Sequence, residues 1–316
     1  MTAGTGPRFT FRQLEYFVTV AEMGTMAGAA ERHRISQSAV SLAVSELERA
    51  LDVQLFVRRK SRGIELTGAA RQILPEVRNL LAHSAEVRAT ARSLGGSVSG
   101  ELVLGCYPTL TPFLLPRILQ RFPARHPDVA VRLFEGSVAD MLDRILDGSC
   151  EMALMYDLGI RPDVATTPLY SVRPYVLLPA GHRLAGPGPI ALRDLTGEPM
   201  VMLDMPPSAD MFREVLAGAG VEPEVRFSSG NFESVRSLVA SGAGFSLLLQ
   251  RPSPHSTYAG PPLVHREITD DVRHVDVVLA HARGARLTRR AQAFAAFCGS
   301  ELLGQLDERD QGDTRG

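Results

Sequence analysis

Amide and hydroxyl side chains gather on one face of a short segment near the N-terminus. The stretch 36–51 places its apolar residues at helical spacing. The opposite face carries four polar side chains: Gln37, Ser38, Ser41 and Ser45. A glutamine amide can form two parallel hydrogen bonds with adenine, and a serine hydroxyl can bond a base edge or a phosphate. The pattern therefore favours contact with the major groove of DNA, and a merely solvated helix face is the alternative.

Four basic side chains follow in a predicted hairpin: Arg58, Arg59, Lys60 and Arg62. Apolar residues flank them at 55–57 and at Ile64 and Leu66, which is typical of two short strands joined by a polar tip. Cations at such a tip bind phosphates or enter the minor groove. A solvated hairpin is the alternative, but the position directly after two helices favours a nucleic-acid contact.

Three helices must hold these groups in place. Apolar residues at i, i+3, i+4 and i+7 predict an amphipathic helix over 11–23. Thr25 can cap a second helix that extends to Arg34, and Ser36 can cap the third, because a hydroxyl accepts from the free amides of a first turn. Two short helices separated by about three residues form a helix-turn-helix candidate.

A long helix is predicted over 68–94. Seven residues alternate along it at spacings of four and three: Ile73, Val77, Leu80, Ser84, Val87, Ala91 and Leu94. Such a seam is typical of a coiled coil, so a helix from a second subunit is the simplest partner for it. Pro75 should kink this helix or remove one hydrogen bond, and the stretch GGSVSG at 95–100 predicts a hinge.

From residue 101 onward, apolar strands alternate with helices. We predict strands over 101–105, 129–134, 151–156, 174–179, 199–203, 224–228, 244–249 and 274–280, and helices over 112–125, 137–148, 208–219, 232–241 and 288–303. The alternation indicates an α/β fold of mostly parallel sheets covered by helices. Sheets of this kind bind ligands at the carboxyl ends of their strands.

Several function classes find no support in the sequence. Cys106, Cys150 and Cys298 are too few and too scattered for a disulfide framework or a zinc knuckle, and the histidines show no metal-ligand spacing. A buried, inert thiol is favoured for Cys106 over a redox sensor, which needs an exposed thiolate of low pKa. No phosphate loop, nucleophile elbow or dinucleotide fingerprint occurs. We therefore expect no enzyme, no catalytic residue, no metal and no cofactor.

Charge is unevenly distributed along the 316 residues, whose net charge is −1. Basic residues outnumber acidic ones in 1–94 and the reverse holds afterwards, which suits a nucleic-acid-binding head on an acidic body. The N-terminus lacks the apolar segment of a signal peptide, and no apolar run reaches the roughly 18 residues of a membrane span. We expect a cytoplasmic protein with no membrane partner.

The segment 26–70, MAGAAERHRISQSAVSLAVSELERALDVQLFVRRKSRGIELTGAA, closely resembles the N-terminal signature of LysR-type transcriptional regulators. The stretches GELVLG, RFPARHPDVAVRLFEG, LDGSCEMALMYD and SVRSLVASGAGFSLL resemble the rest of that family, so the resemblance covers about residues 11–300. It implies an α/β fold class with an N-terminal all-α winged helix-turn-helix. A long linker helix would join this head to a C-terminal domain that resembles periplasmic binding proteins and has two α/β subdomains.

The resemblance also implies a division of the chain and a function. A winged helix-turn-helix would occupy 10–67, a dimerising linker helix 68–94, an effector-binding domain 98–303 and a flexible tail 304–316. Subdomain I would comprise 98–170 with 277–303, and subdomain II would comprise 171–276. Proteins of this kind bind promoter DNA, respond to a small-molecule effector, contact RNA polymerase and self-associate to dimers or tetramers.

Effector-binding residues follow from the cleft that the family places at the strand ends. Tyr107, Thr109 and Thr111 lie between the first strand and a helix, where free amides and hydroxyls favour an anion such as a carboxylate. Helix capping is the alternative for the two threonines. Ser137 follows the second strand and could reach the same cleft. Subdomain II would contribute four residues, each of which could instead be structural: Asp204, Asn231, Phe232 and Phe245. An organic carboxylate or an aromatic molecule is the expected effector.

Two departures from the family pattern bear on the DNA contacts. Ser38 stands where many members have proline, and Leu42 stands where many have arginine. Leu42 can touch only a thymine methyl or a sugar, so the contacts should depend more on the wing. A solute-binding receptor and an α/β enzyme are the other classes that we consider. Neither class explains the helix-turn-helix and hairpin pattern of residues 25–67, and a solute-binding receptor also needs a secretion signal.

Overall fold

The computed structural model describes residues 9–59, 63–92, 98–252, 257, 258 and 260–312. Its N-terminal part consists of three helices and a hairpin: α1 Phe11–Met23, α2 Met26–His33, α3 Gln37–Leu51, β1 Phe56–Arg59 and β2 Gly63–Leu66. Each helix begins after a residue whose side-chain hydroxyl accepts a hydrogen bond from a backbone amide of the first turn. These residues are Thr10 for α1, Thr25 for α2 and Ser36 for α3. The predicted caps of α2 and α3 are therefore confirmed.

The three helices enclose a small apolar core. Its fully buried members include Phe17, Val20, Val40, Leu47 and Leu55. Phe17 meets Phe56 of the hairpin edge-on, with ring centroids 5.6 Å apart. The two strands pair antiparallel, with Phe56 opposite Leu66 at the base. The hairpin is thus anchored to the helices through the apolar residues at its base.

The helix α4 spans Gly68–Arg92 and continues through Pro75. Val77 packs into the core of the three helices and is 8% exposed, whereas Leu80 and Val87 are 43% and 70% exposed. The predicted apolar seam is therefore divided between two surfaces. Val77 contacts the core of its own chain, and Leu80 and Val87 stay open to solvent.

A five-stranded sheet organises the first half of the C-terminal part. Its strands are β3 Gly100–Cys106, β4 Val129–Glu135, β5 Met152–Tyr156, β6 Val164–Val172 and β12 Val275–Ala282. Their order is β4-β3-β5-β12-β6, in which β4, β3 and β5 are parallel while β12 is antiparallel to both of its neighbours. Three helices pack on this sheet: α5 Thr111–Arg125, α6 Val138–Leu146 and α9 Arg289–Gly312.

The chain between β6 and β12 forms a second group of strands. They are β7 Tyr175–Pro179, β8 Pro199–Leu203, β9 Glu224–Ser229, β10 Ser246–Leu248 and β11 Leu263–Arg266, with the helices α7 Ser208–Gly218 and α8 Phe232–Ala240. The strand β7 pairs antiparallel with β10 and β11, and β8 pairs parallel with β9. The α/β fold class is confirmed. The prediction of mostly parallel sheets is wrong. The strands β6 and β12, through which the chain leaves the first sheet and returns to it, run antiparallel to each other.

The sequence does not predict β6 or β11. Pro168 interrupts the pattern of β6, where it lies opposite Val278 next to an irregularity in the register. A proline inside a strand normally argues against that assignment, since it lacks the N–H that a ladder needs. Here β6 is at the edge of its sheet, where a missing N–H is tolerated.

Candidate nucleic-acid interface and ligand cleft

One face of α3 is open to solvent. Its exposed or half-exposed polar side chains are Gln37, Ser38, Ser41 and Ser45. Leu42 lies among them and is 59% exposed. The hydroxyl oxygen of Ser38 is 2.9 Å from that of Ser36, the N-cap residue. The structure thus brings the four predicted polar residues onto a single face, together with one leucine whose side chain is exposed to solvent.

Glu48 of α3 positions the hairpin beside this face. Its Oε1 accepts hydrogen bonds from the backbone amides of Leu55 and Phe56, at 2.7 and 3.2 Å. After the second strand, the hydroxyl of Thr67 donates to the carbonyl of Gln54 at 2.7 Å. Because these bonds join both ends of the hairpin to one place, they fix its base relative to α3.

The basic residues of the hairpin fall at its far end. Arg58 and Arg59 end β1, where Arg59 is opposite Gly63. The predicted contacts Lys60 and Arg62 lie outside the described residues. The backbone therefore places the first two cations at the end of the strand pair that is remote from the anchored base.

The two halves of the C-terminal part meet at a buried tyrosine. Tyr107 follows β3 and is 1% exposed, and its hydroxyl donates to the carbonyl of Met205 at 3.0 Å. The hydroxyl of Ser208 lies 3.5 Å from the same phenol oxygen. Phe113 of α5 and Phe232 of α8 make a second contact, edge to face, with centroids 6.2 Å apart. Side chains from both halves therefore close the cleft between them.

Further buried polar groups lie beside Tyr107. Thr109 donates to the hydroxyl of Tyr156 at 3.3 Å, and the rings of Tyr107 and Tyr156 are 5.5 Å apart. The side chain of Gln250 lies close enough to the same hydroxyl to oppose the rise in the pKa of Tyr156. Burial raises the pKa of Tyr156 and of Tyr107, so both phenols stay neutral at physiological pH.

The first turn of α5 does not offer the free amides that an anion would need. The N–H groups of Leu110 and Thr111 both donate to the carbonyl of Tyr107, at 2.8 and 3.3 Å. Pro112 has no N–H, and the amide of Phe113 donates to the carbonyl of Leu110 at 3.0 Å. The first turn of α5 therefore adds no free amide to the expected anion site, which stays a prediction. Capping by a threonine is wrong, since Leu110 is the N-cap residue and no side chain bonds the turn.

Four other predicted effector residues have different surroundings. Ser137 and Asn231 are the N-cap residues of α6 and α8, and their side chains accept first-turn amides there. Asp204 is exposed. Phe245 is 0% exposed inside the apolar core, so it presents no surface to a ligand.

Three buried members of the cleft are missing from the sequence prediction: Tyr156, Ser208 and Gln250. Tyr156 ends β5, and Gln250 lies two residues beyond β10. This position at the carboxyl end of a strand is the signal that could have identified both. Ser208 opens α7 directly after Pro207 and carries no signal that separates it from an ordinary helix start.

The three cysteine thiols are buried in the apolar interior. Burial raises the pKa of the thiols of Cys106, Cys150 and Cys298 to about 12 in each case. In the part of the chain that the structure describes, no group of three or more His, Cys, Asp or Glu side chains is arranged to hold a metal ion. Within those same residues, no helix combines the length and the apolar character needed to cross a membrane.

Two family models match most of the chain. Residues 11–71 match the bacterial regulatory helix-turn-helix protein of the lysR family, and residues 95–303 match the LysR substrate binding domain. The SDS degradation transcriptional activation protein of a Pseudomonas strain is 32% identical over 240 residues, which cover 75% of this chain and 78% of that protein.

Two solved structures are similar over nearly their whole length. HinK, a LysR family transcriptional regulator from Pseudomonas aeruginosa, is 33% identical with a TM-score of 0.63, covering 93% of this chain and 99% of that one. A cysteine-substituted, full-length OxyR from Pseudomonas aeruginosa is 25% identical with a TM-score of 0.73, covering 92% and 98%. The chain belongs to the LysR family and is a DNA-binding transcriptional regulator with an effector-binding domain.

Proposed function

We propose that the exposed face of α3 enters the major groove of an operator. Four side chains read base edges or phosphates there: Gln37, Ser38, Ser41 and Ser45. Leu42 lies against a thymine methyl. Four cations of the wing neutralise phosphates or enter the minor groove: Arg58, Arg59, Lys60 and Arg62. The observation that carries this proposal is the polar face of α3, which is exposed while the opposite face of the same helix is buried.

Each part of the chain has its own task in this function. The winged head is 10–67, the linker helix is 68–94, the effector-binding domain is 98–303 and the tail is 304–316. In the effector-binding domain, subdomain I comprises 98–170 with 277–303 and subdomain II comprises 171–276. The sheet order supports this division, because the strands of the first sheet come from chain segments before and after the second group of strands.

Regulators of this family bind promoter DNA and small-molecule effectors and form oligomers. We assign the contact between copies to α4, because Leu80 and Val87 are apolar yet largely exposed on it. A dimer joined in this way carries two heads, and two such dimers form a tetramer. RNA polymerase is the partner whose contact with the protein at the promoter changes when the spacing of the heads changes.

The effector lies in the cleft between the subdomains. The side chains proposed to surround it are Tyr107, Thr109, Thr111, Tyr156, Ser208, Phe232 and Gln250. The buried hydroxyls that meet there from both subdomains support this assignment. An effector shifts the regulator only if it binds one arrangement of the two subdomains more tightly than the other. The favoured arrangement changes the spacing of the heads and with it the bend of the promoter.

A salt series of binding assays with the DNA upstream of the protein's own gene tests the head. The wild-type protein should bind selectively, and its affinity should fall with salt because each neutralised phosphate releases counter-ions. A double variant, Arg58→Ala with Arg59→Ala, should reduce the slope of log affinity against log salt by about two. Gln37→Ala should lower the preference for the operator over random DNA.

A matched double variant controls for the loss of positive charge. Arg193 and Arg213 are exposed arginines of the second subdomain, so Arg193→Ala with Arg213→Ala should leave operator binding as it is. Equal slopes for the two double variants contradict the wing assignment. A wild-type protein that binds operator and random DNA equally contradicts the reading of bases by α3.

A further inference from the structure

The head with its linker helix and the effector-binding domain keep separate apolar cores. Among the described residues, the buried side chains of the three N-terminal helices and the start of α4 form one cluster, and those of the C-terminal part form others. A cavity of about 790 Å³ lies between them, bounded by α1 and α4 on one side and by β3, β4 and α6 on the other. Packed interiors contain few voids larger than a water molecule, so the two parts touch without sharing a core.

Two polar contacts on α4 join these parts instead. The guanidinium of Arg78 pairs at 2.8 Å with the carboxylate of Asp147, which directly follows α6. About two turns further along α4, or about 12 Å, Oε1 of Glu86 accepts a hydrogen bond from the backbone amide of Arg289, the first residue of α9. A carboxylate is favoured at that place, because the N-terminal end of a helix carries a partial positive charge.

Both contacts are made to the subdomain whose strands end at the cleft. The helix α6 begins close behind β4, at the carboxyl end of that strand, and ends next to Asp147. Glu151 holds the start of α9, since its carboxylate accepts hydrogen bonds from Thr288 and Arg290. The strand β5 follows Glu151 and ends with Tyr156 in the cleft. One group of packed elements therefore extends from the cleft to both contacts with α4.

Contacts of this kind open without unfolding either part. The side chains of Asp147 and Glu22, which both lie near Arg78, are 44% and 35% exposed, so water reaches them as soon as the contact widens. An ion pair whose charges are hydrated again on opening contributes little net free energy. An apolar interface would instead expose its whole core to water.

We propose that the two pairs, Arg78 with Asp147 and Glu86 with Arg289, form a releasable clasp. The closed clasp of this structure holds the head against the effector-binding domain of the same chain, and the open clasp lets the angle between them change. In an oligomer whose copies are linked through both α4 and the effector-binding domains, this angle sets the spacing of the heads on the operator. That last step rests on the proposed function, whereas the clasp itself does not.

Distances within one chain test the clasp without DNA. Spin labels are attached to Arg12→Cys in α1 and Gln120→Cys in α5, both at exposed positions, because the native thiols are buried. Labelled chains are diluted with unlabelled ones, so that electron paramagnetic resonance records distances inside one chain. The wild type should give one dominant distance. Arg78→Glu, which places a carboxylate beside Glu22 and Asp147, should broaden the distribution or shift it.

A reversed pair and an unrelated pair serve as controls. Adding Asp147→Arg to Arg78→Glu restores opposite charges and should return the distance toward that of the wild type. Arg183→Glu breaks a 2.7 Å ion pair with Glu198 inside the second subdomain and should leave the distance as it is. If Arg78→Glu does not fold, Arg78→Gln with Glu86→Gln removes the charges of the clasp and provides the same readout. A folded clasp variant with the wild-type distribution overturns the inference, and so does a reversed pair that restores nothing.

Operator probes connect the clasp to DNA binding. The DNA upstream of the protein's own gene is compared with a version whose half-sites are moved apart by half a helical turn, about five base pairs. The wild type should prefer the native spacing, and Arg78→Glu should reduce this preference by about tenfold, because a head that can turn tolerates either spacing. If both proteins prefer the native spacing equally, the clasp does not set the spacing and the inference is overturned. If the wild type does not distinguish its operator from random DNA, the proposed function fails, and the distances alone decide whether the clasp exists.

Discussion

Arg78 of the linker helix α4 is bonded to Asp147, which follows α6 in the effector-binding domain. Its Nη1 lies 2.8 Å from Oδ1 of Asp147 and 2.9 Å from the carbonyl oxygen of the same residue. The guanidinium is also 3.6 Å from Glu22 of α1, and Glu22 pairs with Arg32 of α2 at 3.0 Å. Four charges therefore connect the head, the linker and the effector-binding domain of one chain.

The backbone next to Asp147 fits closely against the linker. Gly148 has φ of +73°, and a Cβ at this position would lie 3.3 Å from both the carbonyl oxygen of Pro75 and the Cβ of Arg78. A glycine satisfies both demands, since it tolerates the left-handed conformation and leaves room for α4. The ion pair is thus one part of a shaped contact between the two domains.

Arg78→Gln should weaken this contact by about 1–2 kcal/mol. The arginine side chain is only 11% exposed and loses charge-assisted bonds, while Asp147 at 44% can be hydrated again. Because each domain keeps its own core, the melting temperature should fall by only a few degrees. A double-mutant cycle with Asp147→Asn, measured by thermal unfolding, gives the coupling between the two side chains.

An exposed pair provides the control for this cycle. Arg213 and Asp210 are 2.9 Å apart with both side chains more than half exposed, so Arg213→Gln should cost almost nothing. If Arg78→Gln and Arg213→Gln lower the melting temperature equally, the Arg78 pair does not hold the domains together.

The three cysteines should be unreactive in the folded protein, although an OxyR is among its structural relatives. Each thiol is buried and has a pKa raised to about 12, so at pH 8 about one in ten thousand is a thiolate. Labelling with Ellman's reagent should be negligible in the native protein and complete after unfolding in guanidinium. Rapid reaction of one thiol in the native protein would show an accessible cysteine and reopen a redox role for Cys106.

Local signals in the sequence predicted the DNA-binding part well. A cap acts over a single turn: Thr25 accepts the amide of Gly28 at 3.0 Å, and Ser36 accepts that of Ala39 at 3.2 Å. The strand β6 has no such local signal, because its partner β12 lies far along the chain and Pro168 obscures its pattern. The apolar residues of α4 are divided between two surfaces by tertiary contacts. The periodicity of the sequence does not show which side of α4 the N-terminal helices of the same chain will cover.

The cleft was harder to predict for a related physical reason. Serine and asparagine accept hydrogen bonds equally well from a ligand and from a helix amide, and the structure uses Ser137 and Asn231 as caps. Gln250 is an ordinary amide in the sequence. It reaches the Tyr156 hydroxyl of the other subdomain only in the folded chain, which is a tertiary event.

Acid should weaken the contact between the C-terminal helix α9 and α5. Three arginines of α5 converge on Glu301 of α9: Arg117, Arg121 and Arg125. The hydrogen bond from Arg121, at 2.6 Å, is the main cause of a Glu301 pKa below its ordinary value of 4.5, and Arg125 adds to it. Because the folded pKa is the lower one, the contact stabilises the protein above pH 4.5 and is lost as the pH falls through the folded value.

Melting curves of the wild type and of Glu301→Gln at several pH values test this dependence. The variant should melt at a lower temperature at neutral pH, and the difference should shrink toward zero in acid. Glu224→Gln, at an exposed position of β9, serves as the control. A difference for Glu301→Gln that stays constant across the whole acid range would mean that the ionised carboxylate does not hold α9.

We expect Leu42 to give α3 a preference for thymine that a polar side chain at this position would not give. It is 59% exposed on the face of α3 that carries Gln37 and Ser41, so Leu42→Ala should leave the folding free energy nearly unchanged. In the complex, burial of one thymine methyl contributes about 0.8 kcal/mol, or roughly fourfold in affinity. Replacing the contacted thymine by uracil removes only that methyl and should weaken the wild-type protein by this factor.

The two changes together identify the contact. Once Leu42 is alanine, the uracil substitution should have almost no effect, because the methyl has lost the group that covered it. Uracil at a position outside the footprint controls for altered DNA shape, and competition binding at constant salt gives the four affinities of the cycle. If uracil weakens the wild type and Leu42→Ala by the same factor, another side chain contacts the methyl, and Leu42 does not set the operator preference.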